Sequence, residues 1–124
     1  MEFKTNKEKG RTGLALAIGY FGSNGYTVSV PLNDTQDYDL IVDKDGKLLR
    51  ISVKATGQRS RHGISICNLR NFGGTKGSIY GRENKKAIDF MFIVNECKEM
   101  WLIPKDALPS NSINLGKDCD KYRI

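Results

Sequence analysis

Asp39, Ser52 and Lys54 are the residues of this chain whose types and spacing could do chemistry. A carboxylate binds hard divalent cations, and such a cation polarises a phosphate ester and acidifies a bound water. An ammonium beside it stabilises the charge that develops on the phosphoryl oxygens. Hydrolysis of a phosphodiester needs the two held on one rigid surface, and the intervening stretch can do that. Tyr38 to Lys54 reads as two strands around Asp45-Gly46, a dipeptide suited to a type I′ turn because both central positions take positive φ. With that turn as pivot, Lys44 pairs with Lys47, Val42 with Leu49, Leu40 with Ile51 and Asp39 with Ser52. Alternation then places Leu40, Val42, Leu49, Ile51 and Val53 on one face. Asp39, Ile41, Asp43, Leu48, Arg50, Ser52 and Lys54 fall on the other. A slip of one residue would mix the two sets. Asp39 is a candidate metal ligand and the Val53 carbonyl a second. Magnesium, or manganese, suits them because magnesium keeps several waters and can be held by one or two carboxylates. Ser52 can hold a water, and Lys54 can orient it or contact phosphate. The same charges are also common on a solvated sheet face.

The elements that would position this hairpin follow along the chain. Lys7 to Asn24 is predicted as a helix with Leu14, Ile18 and Phe21 on its apolar face and Gly25 as its stop. Tyr26 to Val30 is a short strand closed by Pro31. After Lys54, Ala55 to Gly63 is a flexible basic connection carrying Arg59, Arg61 and His62. Ile64 to Leu69 is a further strand. The stretch from Arg70 to Lys86 combines Gly73, Gly74, Gly77 and Gly81 with Lys76, Arg82, Lys85 and Lys86, and is long for a loop. Ile88 to Val94 is a near-continuous apolar run, expected as a central strand covered on both faces. Met100 to Ile103 is its hairpin partner, and Pro104 to Leu108 a short helical turn. Residues 109–124 read as a polar tail beyond a 6–108 core, with one last short strand at Tyr122-Arg123-Ile124. The whole, 1–124, is one α/β (α+β) domain around a central mixed sheet with the N-terminal helix packed on it.

The balance is basic: 20 Lys+Arg against 14 Asp+Glu in 124 residues, a net charge of +6. That favours an anionic partner, nucleic acid first. No segment approaches the ~20 apolar residues of a membrane span, and the first residues lack a signal-peptide apolar stretch. Cys67, Cys97 and Cys119 are scattered and odd in number, which predicts reduced thiols in a cytoplasmic protein rather than a zinc site or disulfide frame. Arg59, Arg61, His62, Lys76, Arg82, Lys85 and Lys86 are the candidate phosphate contacts, since Lys and Arg supply the sequence-independent part of DNA affinity.

Four stretches, in order, resemble the PD-(D/E)XK nuclease superfamily. They are Lys9-Gly10-Arg11-Thr12-Gly13, Gly25 to Pro31, Tyr38 to Val42 running through the turn into Arg50 to Lys54, and Ile88-Asp89-Phe90 running on to Trp101-Leu102-Ile103-Pro104. The likeness is greatest to group I intron-encoded homing endonucleases and extends to archaeal Holliday junction resolvases. It implies a restriction-endonuclease-like fold, a metal-dependent DNA endonuclease acting on duplex or branched DNA, and a homodimer or higher homo-oligomer. It makes Asp39 the metal-binding aspartate and Lys54 the catalytic lysine. Two positions depart from the pattern. Ser52 stands where an acidic residue or glutamine is usual, and Leu14 where the first helix usually presents a glutamate. The alternative expectation is therefore a degenerate nuclease fold from a phage or mobile element, which binds nucleic acid or inhibits a host enzyme.

Overall fold

Helix α1 spans Asn6–Ser23, opened by Thr5, whose hydroxyl accepts the Glu8 N–H at 3.0 Å. The computed structural model describes residues 3–33, 35–69 and 87–124. The helix ends in a Schellman motif: Tyr26 N–H donates to the Phe21 carbonyl at 3.0 Å and Gly25 N–H to the Gly22 carbonyl at 3.3 Å. Gly25 takes the required left-handed conformation at φ 84°, and the Phe21 and Tyr26 rings meet edge to face at 5.2 Å. No helix among the described residues is long and apolar enough to cross a membrane.

Strands β1 (Thr27–Ser29), β2 (Leu40–Lys44), β3 (Lys47–Thr56), β5 (Phe90–Asn95) and β6 (Met100–Pro104) form a mixed sheet in the order β1-β2-β3-β5-β6. The hairpin register is the expected one, from Lys44↔Lys47 to Leu40↔Ile51, turning at Asp45 (φ 56°) and Gly46 (φ 80°). Strands β3 and β5 run parallel, with Ser52 beside Met91 and Lys54 beside Ile93. The other neighbouring pairs are antiparallel. Met91, Phe92, Ile93 and Val94 are all buried, as the apolar run implies for a strand covered on both faces.

Helix α1 covers one face. Ala17 and Phe21 pack there with Leu40, Val42, Ile51, Phe92 and Val94, flanked by Leu14, Leu49 and Val53. Ile18, expected on this stripe, is 37% exposed. The helix turns its narrow Gly13–Ala17–Phe21 line to the sheet, and Ile18 lies roughly 100° around from Ala17. Gly13 is what permits the approach: a Cβ there would lie 3.2 Å from Ala55 Cβ and 3.5 Å from Val53 Cγ1.

The opposite face is covered by a second, two-stranded sheet absent from the sequence reading. Strand β4 (Ile66–Asn68), expected in the central sheet, pairs instead with β7 (Ser112–Asn114). Residues 109–124, expected as a tail, thus supply Ile113, Leu115 and Cys119 to a core with Cys67, Leu69, Met91, Ile93, Trp101 and Ile103. The signal was faint because only alternate residues of so short a strand face inward. The expected last strand at 122–124 is reduced to a bridge between Trp101 and Arg123, preceded by a 3-10 helix over Lys117–Tyr122. The turn after Pro104 is present as a 3-10 helix at Lys105–Ala107.

Asp89 ties the start of β5 to β3. Its Oδ2 accepts the Arg50 N–H at 2.8 Å, and the Arg50 guanidinium sits at 3.3 Å from Oδ2 and 3.4 Å from Oδ1. Partial burial pushes the Asp89 carboxyl up, but these hydrogen bonds and the charges of Arg50 and Lys105 outweigh it, and its pKa falls below the usual value. A depressed carboxyl stabilises the fold above its unfolded pKa near 4 and loses that contribution as pH falls through the folded value. Asp89→Asn is therefore expected to cost about 1 kcal/mol at pH 7, with the gap to wild type closing toward pH 2 in thermal melts. A gap that is constant with pH would refute the ionic origin. Packing at α1 gives a second test. Gly19→Ala, with nothing within 4 Å of the added carbon, should stabilise by roughly 0.5–1 kcal/mol. Gly13→Val should destabilise by about 1–3 kcal/mol through overpacking. Chemical denaturation of the two variants reads both signs.

Candidate active site

The β2–β3 hairpin brings Asp39 and Lys54 to one place. Asp39 lies just before β2, where its N–H continues the ladder to the Ile51 carbonyl at 2.8 Å. Beyond that point β2 offers β3 no backbone partner. The Asp39 carboxylate takes over, with Oδ2 accepting the Val53 N–H at 2.7 Å. The side chain thus caps a strand amide that the ladder leaves over, and sits at the residue preceding Lys54. Its Oδ1 accepts no hydrogen bond among the described residues. Asp39 is open to solvent as a residue, yet crowding at the carboxyl raises its pKa, while the Val53 N–H and the Lys54 charge pull it down.

Ser52 and Lys54 follow the alternation of β3. Paired beside Met91 and Ile93, they point to the face covered by β4 and β7, whereas Val53 turns toward α1. Ser52 is 7% exposed, so its hydroxyl is packed in rather than presented to solvent. Leu14 packs in the cluster on the opposite, helix-covered face. Neither departure from the expected pattern is compensated nearby: no group of three or more His, Cys, Asp or Glu side chains capable of holding a metal occurs among the described residues.

The donors present fit a divalent cation in a minimal way. Asp39 supplies a carboxylate oxygen not used by the Val53 N–H. In a strand, the carbonyl of Val53 points to the same edge as its N–H, so it shares the side where β2 has ended. Magnesium tolerates so sparse a protein shell because water completes its octahedron. A carboxylate raised by desolvation is also one that gains from a cation at close range.

The connection after β3, expected as flexible, is a hydrogen-bonded turn. Ile66 N–H donates to Gln58 at 2.9 Å, Ser60 N–H to Ile64 at 2.8 Å, and Gly63 N–H to Ser60 at 2.9 Å. Asn95, fully buried, secures its base: Nδ2 donates to Ser65 Oγ at 3.1 Å and Glu99 Oε1 at 2.7 Å, and Oδ1 accepts the Cys97 and Glu99 N–H groups. Arg59 is committed to this scaffold. Its Nε donates to Glu96 Oε1 at 2.6 Å and Nη1 to the Gly63 carbonyl at 2.6 Å, and Nη2 also pairs with Glu96 Oε1. Its charge is thus compensated within the protein. Arg61 and His62 stand exposed at the tip, with the Arg61 Nε 3.4 Å from His62 Nε2. Lys76, Arg82, Lys85 and Lys86 lie outside the described residues.

What the sequence reading missed is the neighbourhood of Lys54. Asn6, Lys9 and Gly10 of α1 line one cavity with Lys54, Gln58, Cys67 and Asn68. The Lys9-Gly10 pair had stood out only as part of a resemblance; that the first turn of the helix reaches the end of β3 is a tertiary fact. Burial pushes the Cys67 thiol up to about 11, with the Lys54 and Lys9 charges pulling it back, so this cysteine is a neutral wall of the cavity and no nucleophile.

Comparison with known proteins bears on the fold. A search of curated proteins finds no match. Among solved structures, the bacterial homing endonuclease I-Ssp6803I superposes with a TM-score of 0.80 at 25% identity, covering 96% of this chain and 88% of that one. The profile of the PD-(D/E)XK endonuclease family matches residues 4–122. The sheet, the hairpin that joins Asp39 to Lys54 and a family match along almost the whole chain lead to one conclusion: this protein belongs to the PD-(D/E)XK endonuclease family.

Proposed function

We propose that this protein binds duplex or branched DNA and hydrolyses its phosphodiester bonds with Mg²⁺ or Mn²⁺, with Asp39 and Lys54 as the acting residues. The observation that carries this reading is the clamp of Asp39 on Val53, which sets a carboxylate beside the lysine at the end of one rigid hairpin. Asp39 and the Val53 carbonyl would hold the ion, which supplies polarisation of the phosphate and a more acidic water. Lys54, rigidly based on β3, contacts the phosphate and stabilises its growing negative charge. Ser52 sets the local packing and positions at most a water. Arg61 and His62, exposed beyond β3, contact the phosphate backbone, and Lys76, Arg82, Lys85 and Lys86 extend that contact. Self-association of two or more copies would let two sites reach both strands.

A second reading is favoured by a specific observation. Leu14 lies in the hydrophobic cluster on the far side of the sheet and Ser52 is buried, so neither of these two positions gives Asp39 an acidic companion. On that reading the domain keeps the DNA-binding surface without cleavage, as a phage or mobile-element protein that occupies DNA or inhibits a host nucleic-acid enzyme.

Plasmid nicking in Mg²⁺ or Mn²⁺ separates the two. On the first reading wild type nicks, and Asp39→Ala and Lys54→Ala each lower the rate by about 10²–10³-fold. Nicking that survives both substitutions would sink the assignment of the site. DNA binding without any nicking selects the second reading.

A further inference from the structure

The cavity beside Lys54 has a composition that neither the hairpin nor the family match explains. It encloses about 570 Å³ between the first turns of α1 and the last residues of β3. Lys9 and Lys54 both line it, with the side-chain amides of Asn6 and Gln58, and none of its lining residues is acidic among the described residues. Neither lysine forms an ion pair among the described residues, where the three ion pairs are those of Arg50, Arg59 and Arg123. Among the described lining residues Cys67 is the one that could turn negative, and as a buried, neutral thiol it supplies no counter-charge. Both lysines are half-buried, so water screens them less than it screens an ordinary surface ammonium. Two cations lining one cavity, with side-chain amides beside them, make a site suited to an anion of tetrahedral shape and up to two charges. The adjoining cavity of about 950 Å³ shares Asn6, Lys9, Gly57 and Gln58 and adds Lys4, together with Arg59 and Glu96, which are paired with each other.

We infer that this cavity is a phosphate subsite in which Lys9 and Lys54 hold one phosphate group of the nucleic acid between them, with Asn6 and Gln58 donating hydrogen bonds. The inference rests on the DNA-binding reading above and deepens it. Lys9 becomes a binding residue, and Lys54 is shared between the subsite and the Asp39 side of the strand. The phosphate is either an internal diester or the 5′-monoester at a nick. The two ammonium groups balance the roughly −1.5 to −2 charge of a monoester.

The test is anisotropy of fluorescein-labelled nicked duplexes carrying 5′-phosphate or 5′-hydroxyl, in EDTA, over a range of salt. Lys9→Ala should weaken binding about 5–10-fold and lower the salt slope by about one. Lys9→Arg should keep most of the affinity, and Lys47→Ala at the hairpin turn should match wild type. Loss confined to the 5′-phosphorylated duplex identifies a terminal monoester, and equal loss on both an internal diester; either result supports the subsite. Inorganic phosphate titrated into labelled protein should shift the Asn6 and Gln58 side-chain amide resonances in wild type and not in Lys9→Ala. Phosphate shifts without DNA binding would refute the DNA reading and leave the subsite standing. DNA binding unaffected by Lys9→Ala, with no phosphate shifts, would overturn the subsite and leave the DNA reading intact.

Discussion

The Asp39 carboxylate on the Val53 N–H is the contact on which the rest of the site depends. Strand β2 pairs with β3 only as far back as Leu40, while β3 runs on to Thr56. An unpaired amide at that junction would carry a desolvation cost on the order of 1–3 kcal/mol. Asp39 removes the cost and, in doing so, is itself held at the start of the free stretch of β3. Structure and chemistry are therefore coupled at one atom pair. The group that completes the strand keeps its other oxygen clear of hydrogen bonds among the described residues, and Lys54 follows in the next position.

The two covers of the sheet then divide the labour. Helix α1 approaches closely because Gly13 faces Ala55 and Val53 without a side chain, and this brings Lys9 and Asn6 within reach of Lys54. The β4–β7 sheet closes the other face and buries Ser52 and Cys67. Between the two covers, at the end of β3, opens the cavity lined by Lys9 and Lys54. Asn95 and the Arg59–Glu96 pair hold the turn beyond it in place, so that the charge of Arg59 stabilises the scaffold while Arg61 and His62 stay exposed.

Family membership and chemical competence are separate properties in this protein. The sheet order and the long match fix the first. The second depends on a handful of side chains, and here Leu14 and Ser52 serve packing. Leu14 joins an apolar cluster of phenylalanine, leucine and valine side chains, where a carboxylate would be desolvated without a partner. The local environment thus explains why a leucine is at home there.

By itself, the sequence determined the hairpin, its register and the sorting of its faces, because a type I′ turn at Asp45-Gly46 and strict alternation are local rules. It also marked β5 as doubly covered, from an apolar run that no exposed strand would carry. Ile18 was misplaced because the closest helix-to-sheet approach follows the smallest residues, here Gly13 and Ala17, and not the largest. Strand β4 was legible as a strand, but its pairing joins segments far apart in the chain, and β7, three residues long, is too short for a periodic signal. Only the tertiary structure could decide that Asp39 spends one oxygen on Val53, that Arg59 is neutralised by Glu96, and that Lys9 stands over the same cavity as Lys54. Each of these is a contact between elements, set by how helix and strands pack and not by spacing along the chain.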